Sequence, residues 1–310
     1  MMTKNQTTIA SEAIITGKGL HSGNQVKLHF KPAPANHGIV FQRVDLEGKP
    51  TVRAHISNIA DTSRSTNLRE KNVDVKTVEH LMAALAGLYI DNLLIEIDAP
   101  ELPILDGSAK EYVTKLQEAG IKILDEKKEY YTVTEVVKFE KPDLGIELIL
   151  VPSNHFKISV MVDYGTNILA TQNATIKSMD DFTKEIFNCR TFVFIHELDL
   201  LIKNNLVKGG NMDNAIVFID KKPDQEVLDN LAGFFNMKNI KITENGTLNN
   251  VQLHYNNEPA RHKLLDLIGD LYLLGKQLKG EIIAKKPGHF VNTEFVKLIA
   301  EYAVLMRTSS

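Results

Sequence analysis

RHKLLDLIGD (residues 261–270) predicts a short amphipathic helix with a histidine and a carboxylate on one face. Positions i and i+4 of a helix share a face, so His262 and Asp266 can point at the same spot. His80, far upstream and beside Glu79, is a third candidate ligand. Two histidines and one carboxylate with an open fourth position are how a catalytic zinc ion is held. The spacing therefore favours a metal hydrolase.

Both parts of this candidate site also have ordinary interpretations. A histidine and an aspartate four residues apart more often belong to a solvated polar face, although here a stripe of leucine and isoleucine covers the other side of the helix. A Glu-His pair in a first turn is usually a helix-dipole or capping choice. Neighbouring helical residues point about 100° apart, so Glu79 would not share the direction of His80. It could instead act on a water at the metal as a general base.

Three further motifs lie at predicted turns. His289, in KPGHF (286–290), is either a turn histidine in solvent or a mobile imidazole beside the site. The glycine-rich stretch GKGLHSG (17–23) lacks the Gly-Lys-Ser/Thr end of a phosphate-binding loop, so a turn between strands is its simplest interpretation. The stretch DGS (106–108) is best explained as a turn and helix cap.

The composition is that of a soluble globular protein. Of 310 residues, 43% are apolar and 24% are charged, and the formal net charge of -3 gives no reason to expect a nucleic-acid partner. Cys189 is the only cysteine, which excludes an intrachain disulfide and a thiolate zinc cage. The first ten residues show no apolar core of a signal peptide, and runs such as 81–88 are too short to cross a bilayer. We therefore expect a cytoplasmic protein without an integral membrane segment.

Strands precede helices in both halves of the predicted structure. In the first half we predict strands at 26–30, 38–43 and 92–97 and helices at 78–88 and 107–119. In the second half we predict strands at 130–139, 145–151, 157–164 and 280–285 and helices at 179–187, 259–276 and from 292 onward. The charged segment 124–129 places a boundary between domains 1–124 and 125–310. This order favours an α+β fold with two domains of similar architecture, in which 191–218 and 219–250 are insertions.

Six stretches, in order along nearly the whole chain, together carry a family resemblance. They are GKGLHSG (17–23), PAPANHGIVFQRVDL (32–46), TVEHLMAALAGLYIDNLLIEIDAPELPILDGSA (77–109), CRTFVF (189–194), RHKLLDLIGDLYLLG (261–275) and GHFVN (288–292). In these stretches the chain resembles the UDP-3-O-acyl-N-acetylglucosamine deacetylases, zinc amidases that begin committed lipid A synthesis in Gram-negative bacteria. The resemblance implies two similar domains, each a β-sheet layered against two helices, with the active site between them and a βαβ insertion in the second domain.

The resemblance also implies roles for the residues of the site. One zinc ion (Zn2+), or Fe2+ in the cell, would be bound by His80, His262 and Asp266. Glu79 would be the general base and His289 the general acid, although the sequence leaves the division of proton transfer between them open. The zinc ion would lower the pKa of its bound water and polarise the carbonyl group that is attacked.

Further positions are expected to contact the substrate or its oxyanion. Thr191 would donate a hydrogen bond to the oxyanion. Asp270 would orient His289, and Lys263 is a candidate phosphate contact. Tyr164 lies where members of the family often have an aromatic residue against the nucleotide, but this chain has Asp-Tyr-Gly where close relatives show Asp-Phe-Asn.

The insertion at about 191–218 is expected to form a hydrophobic passage for the acyl chain of the substrate. Its candidate lining residues are Phe192, Phe194, Leu198, Val207, Ala215 and Val217. Ordinary core packing explains each of these residues about as well. Leu20 and Ser65 would edge the mouth of the passage. The region 219–250 matches the family poorly, and no role is predicted for it.

The activity that the resemblance implies is hydrolysis of the N-acetyl group of UDP-3-O-(3-hydroxyacyl)-N-acetylglucosamine to acetate and the free amine, by a monomer. Relatives in some lineages carry this deacetylase fused to a 3-hydroxyacyl-carrier-protein dehydratase, so the same activity within a fused polypeptide is the alternative. Another alternative is a non-catalytic zinc-binding or nucleotide-binding module, which would not need Glu79. A zinc peptidase is disfavoured because the chain lacks the His-Glu-x2-His helix signature.

Overall fold

The fold is α+β and is built around two five-stranded sheets of the same design. The structure, a computed structural model, describes residues 4–166, 168–204, 206–211, 213–221, 223–235, 241–243, 246–248 and 252–307. None of the helices among these residues has the combined length and hydrophobicity that a membrane span requires.

The secondary structure elements follow each other along the chain in two series. The first series has strands β1 (Asn5–Ile9), β2 (Ala13–Lys18), β3 (Gln25–Pro32), β4 (Ile39–Arg43), β5 (Thr51–Arg53), β6 (Ile59–Asp61), β7 (Asn67–Glu70), β8 (Val73–Val75), β9 (Leu93–Ile97) and β10 (Ile121–Lys127), and helices α1 (Glu79–Gly87) and α2 (Lys110–Glu118). The second series has strands β11 (Glu129–Thr132), β12 (Val137–Lys141), β13 (Ile146–Val151), β14 (Phe156–Val162), β15 (Gln172–Ile176), β16 (Phe192–Phe194), β17 (Ile216–Phe218), β18 (Gln277–Leu278), β19 (Gly280–Lys285) and β20 (Val304–Arg307). Its helices are α3 (Phe182–Glu185), α4 (Ile195–Lys203), α5 (Gln225–Phe234), α6 (Glu258–Tyr272) and α7 (His289–Tyr302).

The two large sheets repeat one strand order. The first runs β2-β3-β9-β4-β5 and the second runs β12-β13-β19-β14-β15. In each sheet the central strand, β9 or β19, is antiparallel to one neighbour and parallel to the other, and the outer pairs are antiparallel. Buried residues alternate with more exposed ones along β3 and β14, a pattern typical of a sheet with one face on the core. The predicted α+β fold with two similar halves is confirmed.

Helices α1 and α6 pack against each other and join the two halves. Every residue of α1 is buried, and α6 also packs on β14 and β15. Gly269 permits the close approach of the helices, because a Cβ atom at this position would lie 2.1 Å from the Glu79 carbonyl oxygen. The helix that carries Glu79 and His80 is therefore held directly against the helix that carries His262 and Asp266.

The second half carries an inserted unit outside its large sheet. Strands β16 and β17 pair in parallel, with α4 between them in sequence, as predicted for a βαβ unit near 191–218. Helix α4 packs against α5, and apolar residues of both helices and of β17 form a buried cluster separate from the main core. The region 219–250, for which no role was predicted, therefore adds a helix to this unit.

One strand predicted in the middle of the chain differs from the structure, and the predicted domain boundary lies within a strand. The strand predicted at 130–139 is two strands, β11 and β12, which belong to different sheets. The boundary predicted between residues 124 and 125 falls inside β10, which pairs with β1 along most of its length. The charged side chains of this segment are compatible with a strand because most of them are exposed. The division into domains 1–124 and 125–310 stays a prediction.

Two predicted helices have different bounds. The helix predicted at 179–187 is a 3-10 turn followed by the single turn of α3, because the amide groups of Ile186 and Phe187 both bond back to the Phe182 carbonyl oxygen and close the turn. Helix α7 begins at His289 and not at residue 292. The earlier start places His289 in the first turn of a helix rather than in a loop.

Candidate metal centre and active site

Three side chains from α1 and α6 converge where the two helices meet. His80 lies in the first turn of α1, and His262 and Asp266 lie one turn apart on α6. The distance to Asp266 Oδ1 is 3.3 Å from His262 Nε2 and 3.6 Å from His80 Nε2. All three residues are buried, and one candidate ligand atom of each lies within 4.8 Å of the others. The arrangement could hold a metal ion.

His262 and Asp266 each offer an atom that could bind a cation. His262 Nδ1 lies 3.0 Å from the Cys189 carbonyl oxygen and donates a hydrogen bond to it, which leaves Nε2 available as a ligand. Burial lowers the pKa of His262 to about 4, so the ring is neutral near pH 7. Asp266 Oδ1 is buried and has no hydrogen-bond partner among the residues that the structure describes. Two imidazole nitrogens around an unpaired carboxylate oxygen fit a divalent metal such as zinc.

Glu79 enters the same cavity from the first position of α1. Its side chain is buried, and its Oε2 accepts a hydrogen bond of 3.0 Å from the backbone N–H of Thr66. Its Oε1 lies 3.8 Å from His289 Nε2. Burial raises the pKa of Glu79, and the charges of His289 and His80 offset part of that effect. A carboxylate with one oxygen held and the other facing an imidazole is suited to accept a proton.

His289 is held by Asp270 from the opposite side. Its Nδ1 is 3.2 Å from Asp270 Oδ2, which also accepts a hydrogen bond of 2.8 Å from Asn292 Nδ2. Burial by itself lowers the pKa of His289, but Asp270, Glu79 and Asp266 outweigh it and raise the pKa to about 9. The imidazole is therefore protonated near pH 7 in the metal-free protein, with Nε2 toward Glu79. Such a group can act as a general acid.

Lys263 is paired with a candidate metal ligand. Its Nζ donates a hydrogen bond of 2.9 Å to Asp266 Oδ2, three residues along α6. Burial lowers the pKa of Lys263, but the carboxylate of Asp266 more than compensates, and the net shift is upward. In turn, burial alone would raise the pKa of Asp266, and the neighbouring positive groups bring it well below its ordinary value. The structure therefore places Lys263 at the metal group, where one oxygen of Asp266 is already neutralised by an ammonium group.

Thr191 lies in a segment that is tied to both halves. Its backbone N–H donates to the Gly107 carbonyl oxygen at 2.7 Å, and its own carbonyl oxygen accepts from Ile216 at 2.9 Å. The preceding residue, Arg190, makes a buried ion pair with Glu258 at the start of α6, with Nε 2.9 Å from Oε1. Thr191 is among the residues that line the cavity of the metal group, so its predicted role stays a prediction.

Two cavities meet at the site. The metal cavity has a volume of about 410 Å³ and contains the metal group, Glu79 and His289. The apolar cavity, of about 200 Å³, lies mainly between β16, β17, α4 and α5. The residues that line both cavities are Leu20, His21, Arg64, Thr191 and Phe192. A ligand with a polar head and an apolar chain could therefore occupy both cavities at once.

Most of the predicted substrate contacts line one of the two cavities. Ser65 lines the metal cavity, and Leu20 and Phe192 line both. Within the insertion, the residues that line the apolar cavity as predicted are Leu198, Val207, Ala215 and Val217. This distribution places the predicted mouth of the passage next to the candidate metal ligands.

Two predicted contacts lie elsewhere. Phe194 is not among the described lining residues of either cavity, because its ring is buried in an aromatic cluster with Tyr164, Phe192 and Phe218. Tyr164 is not among them either, since its ring packs edge-on against Phe192 and Phe194 at 5.5 and 5.4 Å between centroids. Burial raises the pKa of the Tyr164 hydroxyl. Both aromatic residues therefore pack against Phe192, which lines the cavities, and do not line either cavity among the described residues.

Sequence reasoning missed several residues that build the site. Thr66 and Asn292 bind Asp270, and Thr66 also binds Glu79. Asn292 ends the stretch GHFVN (288–292), whereas Thr66 lies outside the quoted stretches, directly after Ser65. The apolar cavity is further lined by Val193, Leu201, Phe234 and Phe235. The last two belong to the end of α5 and the residue after it. The spacing of apolar residues in α5 indicates an amphipathic helix, but it does not indicate that this helix covers the apolar cavity.

Comparisons with known proteins identify the family of the chain. The family model for UDP-3-O-acyl N-acetylglycosamine deacetylase matches residues 6–230 and 230–301. The chain is 42% identical, over 96% of its length, to the protein named Bifunctional enzyme LpxC/FabZ in Porphyromonas gingivalis. It is 43% identical, over 94% of its length, to the protein of that name in Bacteroides thetaiotaomicron. It is 41% identical, over 94% of its length, to the UDP-3-O-acyl-N-acetylglucosamine deacetylase of Teredinibacter turnerae.

These relatives differ in how much of their own length is matched. The chain spans 64% of the P. gingivalis protein, 63% of the B. thetaiotaomicron protein and 89% of the T. turnerae protein. The family model covers both helices that supply the metal group and the helix that begins at His289. From the extent of the match and the level of identity, the chain belongs to the UDP-3-O-acyl N-acetylglycosamine deacetylase family.

Proposed function

We propose that the protein hydrolyses the N-acetyl group of UDP-3-O-(3-hydroxyacyl)-N-acetylglucosamine and releases acetate and the free 2-amine. One observation carries the proposal: a buried metal-ligand group, a carboxylate and an imidazolium share one cavity, and that cavity adjoins an apolar one. Membership of the family supports the same substrate class. The reaction is a step of lipid A biosynthesis, and we place it in the cytoplasm.

The metal in this proposal is zinc, with Fe2+ as the alternative ion in the cell. His80, His262 and Asp266 would hold it, because their nitrogen and oxygen atoms are the donors that zinc prefers in catalytic sites. When bound, the ion would lower the pKa of a water molecule to about 7 and polarise the acetyl carbonyl group. Lys263, paired with Asp266, keeps that carboxylate ionised and fixed in direction.

Glu79 accepts the proton of the attacking water. The Thr66 N–H holds Oε2, which leaves Oε1 to face His289 and the cavity. Because burial raises the pKa of Glu79, the carboxylate binds a proton more tightly than an exposed one would. This favours proton transfer from water during the attack.

His289 donates a proton to the departing amine. Asp270 holds Nδ1, so the proton at Nε2 is the one that faces the reaction. The side chain of Thr191 would donate a hydrogen bond to the oxyanion of the tetrahedral intermediate. A donor of this kind is typically worth ~3 kcal/mol of transition-state stabilisation.

The apolar cavity would bind the acyl chain of the substrate. Its wall is formed by aliphatic and aromatic side chains of α4, α5 and β17, such as Leu201, Val217 and Phe234. Removal of an acyl chain from water into such a cavity stabilises binding by about 0.8 kcal/mol per buried CH2 group. The chain would therefore contribute to affinity while the sugar is positioned at the metal group.

A deacetylation assay tests the proposal directly. Purified protein is incubated with the acylated UDP-sugar carrying a labelled acetyl group, and released acetate is measured before chelation, after chelation, and after addition of zinc or Fe2+. We expect activity that a chelator abolishes and that metal restores. Glu79→Gln protein serves as the control for adventitious hydrolysis. Metal-loaded protein that binds one ion but releases no acetate would contradict the proposal.

A second candidate is the same deacetylation within a polypeptide that also carries a dehydratase. The names of the P. gingivalis and B. thetaiotaomicron relatives, each matched over less than two thirds of its length, favour this candidate. The length of the native reading frame distinguishes the two. For the deacetylase itself we propose a monomer, which sedimentation of the zinc-loaded protein tests.

A further inference from the structure

Thr66 connects the two groups that move protons in the proposed reaction. It is fully buried in the segment that leads into β7. Its backbone N–H donates to Glu79 Oε2 at 3.0 Å, and its carbonyl oxygen accepts from the N–H of Val78 at 3.1 Å. These two bonds fasten the backbone of Thr66 to the start of α1, next to the general base.

The side chain of Thr66 points toward the other group. Its Oγ1 is 2.5 Å from Asp270 Oδ1 and 3.2 Å from His289 Nδ1. A carboxylate near neutral pH can only accept, so the hydroxyl donates to Asp270. Its lone pairs are then directed to the N–H at Nδ1 of His289. That N–H is shared between Thr66 Oγ1 and Asp270 Oδ2, which lies at the same distance of 3.2 Å.

This arrangement assigns both oxygens of Asp270. Oδ1 is bound by Thr66, and Oδ2 is bound by Asn292 and His289. Asp270 and Asn292 are fully buried, so no solvent can replace a lost partner without rearrangement. The orientation of the carboxylate, and through it the orientation of the imidazole, depends on the hydroxyl of Thr66.

We propose that Thr66 is a positioning residue for the deacetylation, which sets the geometry between Glu79 and His289 through one backbone and one side-chain contact. The inference rests on the proposed function for its kinetic consequence. Its structural part, that the Thr66 hydroxyl holds the His289 ring, does not depend on the substrate. Nε2 of His289 faces Glu79 and the metal group only while Nδ1 is held at the other side of the ring.

Loss of the hydroxyl should affect turnover more than substrate binding. Thr66→Val removes the hydroxyl at nearly constant volume and leaves the backbone contact to Glu79 in place. Asp270 Oδ1 then loses its partner, and the imidazole loses one of its two acceptors. Removing an outer partner of this kind typically lowers activity by about 10- to 100-fold. The metal ligands are not touched by Thr66, so metal binding should be unchanged.

Kinetics of three variants test the inference. We expect Thr66→Val to lower kcat by about 10- to 100-fold with little change in KM and one zinc ion per chain. Thr66→Ser, which keeps the hydroxyl, should retain most of the wild-type kcat. Thr8→Val is the matched control. Thr8 is a buried residue of β1, and its Oγ1 accepts a hydrogen bond from the backbone N–H of Ala33. The Thr8→Val protein should lose about as much stability as Thr66→Val but keep its activity. The inference is wrong if kcat falls no further in Thr66→Val than in Thr8→Val, or as far in Thr66→Ser as in Thr66→Val.

A spectroscopic measurement separates this inference from the proposed function. In the zinc-free protein at fixed pH, the Nδ1 proton of His289 should give a downfield NMR signal, which His289→Gln identifies by its loss. We expect the signal to move upfield or broaden in Thr66→Val and to persist in Thr66→Ser and Thr8→Val. An identical signal in wild type and Thr66→Val would overturn the inference even if the wild type is active. If the wild type releases no acetate but the signal responds to Thr66→Val, the proposed function fails and the positioning contact stands. Thr66→Ala takes the place of Thr66→Val if the valine protein does not fold.

Discussion

The metal cavity and the apolar cavity adjoin each other but are built by different forces. The metal cavity joins α1, α6 and α7, and buried hydrogen bonds hold its side chains, such as those of Asp270 to His289 and Asn292. The apolar cavity belongs to the inserted unit, and its side chains are held by apolar contacts between α4, α5 and β17. Hydrogen bonds fix direction, whereas apolar packing tolerates changes of shape at moderate cost. Substitutions in the first cavity should therefore abolish chemistry, and those in the second should change substrate preference.

The largest expected effect is loss of a metal ligand. Asp266→Ala removes the carboxylate shared by both histidines and leaves the half-buried Lys263 without this carboxylate. We expect the protein to lose bound zinc and to show no deacetylation above background. Elemental analysis of the purified protein measures the zinc. Asp143→Ala, at an exposed aspartate, is the control and should bind one ion. A full complement of zinc in Asp266→Ala would refute the ligand assignment.

Removal of the general base should leave metal binding intact. Glu79→Gln keeps the shape of the side chain and its contact to the Thr66 N–H, but it cannot accept a proton from water. We expect kcat to fall by about 10²- to 10⁴-fold, the usual contribution of a general base. Zinc content and KM should stay near the wild-type values. Wild-type turnover in zinc-loaded Glu79→Gln would mean that another group takes the proton.

The contact between α1 and α6 should be sensitive to one methyl group. In Gly269→Ala, the new Cβ would lie 2.1 Å from the Glu79 carbonyl oxygen, so the helices must separate. We expect the free energy of unfolding to fall by about 1–3 kcal/mol, with weaker zinc binding. Urea unfolding and zinc titration measure the two effects. Gly233→Ala in α5 is the control, because a Cβ there meets no atom of the described residues within 4 Å. Equal stability of the two variants would contradict the packing argument.

The buried imidazolium should make stability depend on pH. Burial lowers the pKa of His289, but Asp270, Glu79 and Asp266 outweigh this and raise it from 6.5 to about 9 on folding. The protonated ring therefore stabilises the metal-free fold fully below about pH 6.5, and this stabilisation is lost as pH rises through about 9. Relative to His289→Gln, we expect an advantage on the order of 3 kcal/mol at pH 6 that shrinks by pH 9.5. Urea unfolding with a chelator at both pH values measures it. A difference independent of pH would contradict the assignment.

The smallest effect is expected in the apolar cavity. Leu201→Trp enlarges a side chain of α4 that lines this cavity, whereas Leu200→Trp, its neighbour, changes a mostly exposed position. We expect Leu201→Trp to lower kcat/KM for long-chain substrates by about tenfold, since one or two buried methylene groups are worth 1–2 kcal/mol. Short-chain substrates should be affected less. Assays with substrates of different acyl length measure this preference. Equal losses for all lengths, or for both variants, would show that the chain binds elsewhere.

Local patterns in the sequence predicted the parts of the site that lie on single elements. The i, i+4 spacing placed His262 and Asp266 on one face of α6, and the Glu-His pair placed Glu79 and His80 in the first turn of α1. The exact start of α7 at His289 and the division of the strand predicted at 130–139 were not predictable in this way. Both depend on which neighbour each segment pairs with, and that choice is made by the sheets.

The sequence by itself determined the types of the reacting groups, the helices that carry them and the family to which the chain belongs, because helical periodicity and motif order are local properties. The tertiary structure decided which of these groups meet. Thr66 contacts Asp270 across 204 positions of sequence, and α5 covers the apolar cavity from a region without recognisable motifs. Contacts of this range arise from the packing of whole helices and sheets, such as the close approach at Gly269, and no spacing within one segment encodes them.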